Sequence, residues 1–199
     1  KKKNIFETDL FAPLLELLPK EMPEREKRII TDHTRGAAFL LADGVRPSNK
    51  DRGYILRRLM RRVFVYESRS QISSHIFDAI VHDIVHEYGD FHPHTDGIGV
   101  GVYPELLREN NAIREEFFRE RERFSKTLVR GLKELEKISD IQPASAFMLY
   151  ETYGIPYEVI KEFGGERAEK LTREGFDAEF KKHQNISRAG SVAKFGGHG

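Results

Sequence analysis

The stretch TDHTRGAAFLLADGVRPSNKDRGYILRRLMRRVFV, Thr31 to Val65, decides the fold. Ile30, Thr34, Ala37 and Leu41 recur at helical spacing, and Asp43-Gly44 closes that helix, the glycine supplying a left-handed stop. A short polar loop follows, Arg46-Pro47-Ser48-Asn49-Lys50, in which Ser48 or Asn49 stands where a helix cap belongs. The second helix sorts its arginines from its apolar residues. With Arg57 at zero and about 100° per residue, Ile55, Leu56, Leu59, Met60 and Val63 fall between roughly 160° and 300°. Tyr54, Arg57, Arg58, Arg61 and Arg62 fall between roughly 0° and 140°. One face belongs to a core and the other is a cationic wall.

The charge is concentrated in the same place. Between Arg46 and Arg69 stand eight basic residues, Arg46, Lys50, Arg52, Arg57, Arg58, Arg61, Arg62 and Arg69, against Asp51 and Glu67, giving +6 in a 199-residue chain whose total is +1. The remainder is net acidic. Seven of those eight are arginine, whose flat five-donor fork suits phosphate oxygens. A polyanion is the natural partner, and nucleic acid is the commonest one. A basic helix also occurs simply in water or paired with acidic neighbours, and the charge pattern alone leaves both readings open.

Composition bounds the rest. Charged residues make up 33% and hydrophobic ones 39%, the balance of a globular helical protein. The absence of cysteine excludes disulfides and thiolate metal sites. No apolar run approaches the roughly 18 residues of a membrane span, and Lys1-Lys2-Lys3 is not followed by the apolar stretch of a signal peptide. The expected location is the cytoplasm, with no membrane partner.

Along the chain, Thr8 is placed to cap a helix carrying Leu10, Phe11, Leu14, Leu15, Leu17 and Leu18, ending near Pro19. Pro23 opens the next. From Gln71 to Tyr88, Ile72, Ile76, Ile80 and Ile84 mark a buried helix that Gly89 ends. His82 and His86 on it have metal-ligand spacing, but the glutamate of a metalloprotease helix is missing between them and no metal is expected. Residues 90 to 102, DFHPHTDGIGVGV, read as a connector: His92, His94 and Asp96 lack a fourth ligand, and Gly97, Gly99 and Gly101 follow no strand. Pro104 opens the longest periodic stretch, reaching about Ile138. Its apolar stripe runs Leu106, Ile113, Phe117, Phe124, Leu128, Leu132 and Leu135, with Asn110 in register and one gap of seven. The charged faces, such as EEFFRERERF at 115 to 124, suggest a solvated spacer laced with ion pairs. A short helix ends at Gly154, and Lys161 to Arg188 is helical again around Phe176, Phe180 and Ile186. No alternating strand pattern is found. The expected architecture is all-α, with two helical lobes, residues 1–102 and 103–199, joined by the long helix.

These words also carry a resemblance. Asp32-His33-x-Arg35, then Ala42-Asp43-Gly44-Val45-x-Pro47-Ser48-Asn49, then Arg52-Gly53-Tyr54-x-Leu56-Arg57-Arg58-x-x-Arg61-Arg62 resembles the tRNA-recognition region of bacterial-type alanyl-tRNA synthetases. Asn4-x-Phe6-x-Thr8-Asp9-Leu10-Phe11-x-Pro13-Leu14 is similar to the segment that follows the catalytic core in that family. Tyr103 to Leu106, Glu122 to Leu132, Ala146 to Pro156 and the tail from Arg188 resemble it too.

The resemblance implies a chain lying between a covalently linked catalytic domain, which uses ATP and magnesium, and an editing domain. The chain itself would need no cofactor and would bind without aminoacylating. Its partner would be the acceptor stem of alanine tRNA, which the family recognises by a G·U wobble pair. Carried over by position, Asn49 is the amide and Glu151 the carboxylate that read the pair, Glu151 standing where the family usually has aspartate. Arg46, Lys50, Arg52, Arg57, Arg58, Arg61 and Arg62 would grip backbone phosphates. The alternative from another class is a helical protein-interaction module with a basic patch. No nucleophile with an adjacent base, carboxylate pair or metal set points to a free-standing enzyme.

Overall fold

The computed structural model describes residues 4–89 and 102–195, and every regular element among them is helical. The connector with His92, His94, Asp96, Gly97, Gly99 and Gly101 lies outside the described residues, as do Lys1 to Lys3 and the last four positions. The chain divides into two compact units, Lys1–Arg123 and Phe124–Gly199. The division falls inside the long helix, later in the chain than position 102, so that helix contributes to both units.

The first unit opens with a short 3-10 turn, Ile5–Glu7, and α1, Ala12–Glu16. Thr8 does not cap that helix as expected: its hydroxyl donates back to Ile5 O at 2.6 Å, and Phe11 holds the cap position. The expected nine-residue apolar helix is correspondingly cut to one turn and a half. α2 spans Glu24–Ala42, with Glu24 and Glu26 in its first turn complementing the helix dipole. It ends where Gly44 takes φ 79°, a region open to glycine without strain. α3, Asp51–Arg69, packs on α2, and Ala37 and Ala38 of α2 and Leu56, Met60 and Val63 of α3 are fully buried. α4 is Ser74–Gly89.

The long periodic stretch is not one helix. α5, Pro104–Arg108, ends at Glu109, and α6 runs from Asn110 to Lys137. Phe117 of α6 meets Phe64 of α3 and Phe77 of α4 edge to face in the core of the first unit, with ring centroids 4.7 Å apart for Phe77 and Phe117.

In the second unit α7, Pro143–Tyr153, begins with a reciprocal capping box between Gln142 and Ser145 and ends at Gly154, φ 73°. Pro156 then leads into α8, Tyr157–Gly164, and α9 spans Arg173–Phe195. Arg167 donates to Leu135 O and Ile138 O, each at 2.8 Å, and to Glu136 O at 3.1 Å, satisfying carbonyls that the end of α6 leaves open. Gly131 is buried where a side chain would come within 2.6 Å of Tyr153 Cβ, so α6 meets the end of α7 at backbone distance.

Candidate nucleic-acid interface

The loop before α3 is held from inside. Ser48 N–H donates to Gly53 O at 3.1 Å, and the Ser48 hydroxyl donates to Lys50 O at 3.0 Å. Gly53 is buried directly beneath this turn, where any side chain would overlap Ser48 Oγ and Arg46 O. Asp51 begins the helix at φ 49°, a left-handed conformation that aspartate tolerates better than most residues.

Neither expected cap acts as one. Lys50 occupies the cap position of α3 and makes no side-chain cap bond. Asn49, exposed at the tip, accepts through its side-chain carbonyl oxygen from Arg57 Nη1. The same guanidinium donates through Nη2 to Pro47 O at 3.2 Å. Asn49 is therefore no helix cap but an exposed amide held by a guanidinium eight positions on, in α3.

The arginine face is less of a solvent wall than its sequence suggests. Arg57 and Arg61 are only 19% and 18% exposed, and both reach Glu120 of α6, itself 2% exposed. Arg61 Nε donates to Glu120 Oε1 at 2.8 Å, and Arg57 Nε lies 3.4 Å from the same oxygen. Arg62 Nη1 is 3.2 Å from His33 Nε2, while His33 Nδ1 is 3.0 Å from Asp32 Oδ2. Because a guanidinium only donates, the His33 ring must accept at Nε2 and carry its proton at Nδ1 toward Asp32. Arg58 stacks near Tyr54, at 5.8 Å from the ring centre. Arg46 donates to Leu41 O and Val45 O, both at 3.1 Å, closing the end of α2. Lys50 and Arg52 are exposed on the loop and first turn.

Glu151 is on α7 of the second unit, 45% exposed, with its Oε1 2.5 Å from Nε2 of His183 on α9. The ring of His183 in turn lies 5.4 Å from that of Phe147. No sequence feature points to His183, because its partner is thirty-two positions away on another helix. Glu120 does have a signal. It and Arg121 occupy the gap of seven between Phe117 and Phe124, so two charged residues sit where the apolar stripe has its empty position. α6 is consequently more than a solvated spacer.

His82 and His86 stack on α4 with ring centroids 4.2 Å apart. Among the described residues no group of three or more histidine, aspartate or glutamate side chains could hold a metal. No helix among them is long and apolar enough to cross a membrane.

The comparisons with known proteins bear on the whole chain. Alanine–tRNA ligase of Borrelia garinii subsp. bavariensis is 38% identical over 98% of this chain and 34% of its own length. The ligase of the same name from Dehalococcoides mccartyi is 33% identical over 98% of the chain and 23% of its own length. That of Neisseria meningitidis serogroup C is 34% identical over 95% and 22%. The chain thus spans about a third or less of the length of the curated relatives it matches. Residues 1–196 match the family described as tRNA synthetases class II (A), and the chain belongs to that family.

Proposed function

We propose that this chain is the acceptor-stem recognition part of an alanine–tRNA ligase and that it selects the G·U wobble pair of alanine tRNA. On this reading the whole protein joins alanine to its tRNA at the expense of ATP, with magnesium. The described residues offer no metal-holding cluster of their own.

The physical case starts from the RNA. In an A-form stem the minor groove is wide and shallow, so side chains reach base edges from that side or near a helix end. A wobble leaves the guanine exocyclic amine without its Watson–Crick partner in that groove. A neutral amide can accept from it. Asn49 stands exposed on a turn fixed by Gly53, Ser48 and Arg57, inside the +6 segment. Its carbonyl oxygen has two lone pairs; one receives Arg57, and the other is directed to the amine. Glu151 is the contact contributed by the second unit. The cations Arg46, Lys50, Arg52, Arg57, Arg58, Arg61 and Arg62 supply the field that draws in phosphates, giving affinity without sequence choice.

The observation that carries this reading is the clamped, outward Asn49 in a chain whose relatives are named alanine–tRNA ligases. Its test is a binding titration of the chain with an acceptor-stem hairpin carrying G·U and with one carrying G·C, at several salt concentrations. The expected result is salt-dependent binding of both, tighter for G·U. Absence of binding at low salt would instead favour a protein-interaction module.

A further inference from the structure

Glu120 is a buried carboxylate on a helix that has no exposed part in the cationic loop, and stability alone gives it little reason to be there. A buried ion pair replaced by well-packed apolar residues is often neutral or stabilising. What Glu120 does have is a line of contact outward. Its carboxylate forms an ion pair with Arg57, Nε lying 3.4 Å away without a hydrogen bond, and Arg57 uses its other two nitrogens on the loop, Nη2 on the backbone of Pro47 and Nη1 on the side chain of Asn49. Arg61 braces the same carboxylate from one turn further along α3. A guanidinium can only donate, so the atom of Asn49 facing it must be the carbonyl oxygen. The side-chain amide can then neither flip nor swing freely, and its NH2 group points away from Arg57.

We propose that Glu120 and Arg57 are specificity-positioning residues: the buried carboxylate holds the guanidinium, and the guanidinium presents the Asn49 amide in one orientation to the minor groove. This rests on the reading of Asn49 as the group that inspects the wobble pair. An exposed asparagine with nothing behind it samples several rotamers, and ordering it on binding costs part of the contact's value. Here the ordering is done in the fold. Glu120 itself touches no RNA, and the part Arg57 plays in selection runs through Asn49 rather than through a phosphate.

Two variants test this in the 199-residue chain. Glu120→Gln keeps the shape and removes the charge that holds Arg57. Arg57→Lys keeps the positive charge available to phosphate but cannot donate to Pro47 O and the Asn49 amide from two fixed nitrogens while pairing with Glu120. Each is expected to lower the ratio of G·U to G·C hairpin affinity by about 3- to 10-fold, the worth of one oriented hydrogen bond, with the salt slope unchanged. Simple loss of folded protein lowers both affinities together and leaves the ratio alone, so the ratio separates positioning from scaffolding. Either variant combined with Asn49→Ala should lose no more of the ratio than Asn49→Ala alone, because the residues act as one unit. An unchanged ratio in both variants, with Asn49→Ala alone still losing it, overturns the relay while sparing the base-reading role. A readout without RNA covers the opposite case: 15N relaxation of the Asn49 side-chain amide should show it ordered in the parent chain and mobile in both variants. A mobile amide in the parent overturns the relay outright.

Discussion

Arg61 Nε donates to Glu120 Oε1 at 2.8 Å, across 59 positions of sequence, and Arg57 lies 3.4 Å from that same oxygen. One buried carboxylate thus serves two half-buried guanidiniums. Removing it leaves both cations in a poorly solvated place with their common partner gone. Glu120→Leu is expected to destabilise the first unit by about 3–5 kcal/mol, measured as the shift of its urea unfolding midpoint. A loss below about 1 kcal/mol would mean that the pair behaves as a surface ion pair.

Gly53→Ala sets two effects against each other. Replacing a helical glycine by alanine gains about 0.5–1 kcal/mol in an open helix. At position 53 the added methyl overlaps Ser48 Oγ and lies 2.5 Å from Arg46 O, a backbone atom that cannot rotate away. Overpacking of this kind costs about 1–3 kcal/mol, so the clash wins. The expected outcome is net destabilisation in thermal melts together with weaker preference for the wobble hairpin, because the displaced turn carries Asn49. A more stable variant with its preference intact would show that the turn is not seated on Gly53 as described.

Glu67 gives the fold a pH dependence with a definite sign. It pairs with Arg121 through contacts of 3.0 and 3.1 Å, yet burial raises its carboxyl above the ordinary 4.5, with Arg121 only partly opposing and Asp78 adding to the rise. The folded state therefore binds its proton more tightly than the unfolded state does. The contribution of Glu67 to stability is fully present below about 4.5 and is lost as pH rises through the higher folded value. Compared with Glu67→Gln, the parent chain should gain relative stability as pH is lowered through that window. Denaturant melts of both proteins across weakly acidic pH check this, and a relative loss would reverse the sign.

Much of the fold is legible in the sequence because it rests on local rules. Gly44 and Gly154 stop α2 and α7, Pro104 and Pro156 mark helix starts, and the 3.6-residue apolar repeat places Leu56, Met60 and Val63 in the core. The break at Glu109 is not legible, since the apolar stripe continues through it from Leu106 to Ile113. The seven cations and Asn49 are likewise readable as types on a face. Their wiring is not. Whether Asn49 caps a helix or meets a guanidinium depends on the backbone of the turn, and the identity of Glu120 as partner depends on packing between helices far apart in sequence. The only trace of it is the interruption between Phe117 and Phe124.

The phosphate-binding role is tested most cleanly at residues that do no visible structural work. Lys50 and Arg52 are exposed. Lys50→Ala with Arg52→Ala should weaken G·U and G·C hairpins equally and reduce the slope of log affinity against log salt by roughly 1.4–1.8, two counterions released fewer. An unchanged slope would place the RNA backbone elsewhere on the chain.

Inspection of the wobble pair by Asn49 is measured most directly as the ratio of G·U to G·C hairpin affinity in the parent chain and in Asn49→Ala. Loss of one base-edge contact predicts a fall in that ratio of roughly 1–3 kcal/mol, with G·C binding and the salt slope nearly unaltered. Equal weakening on both hairpins, or no weakening on either, would contradict it.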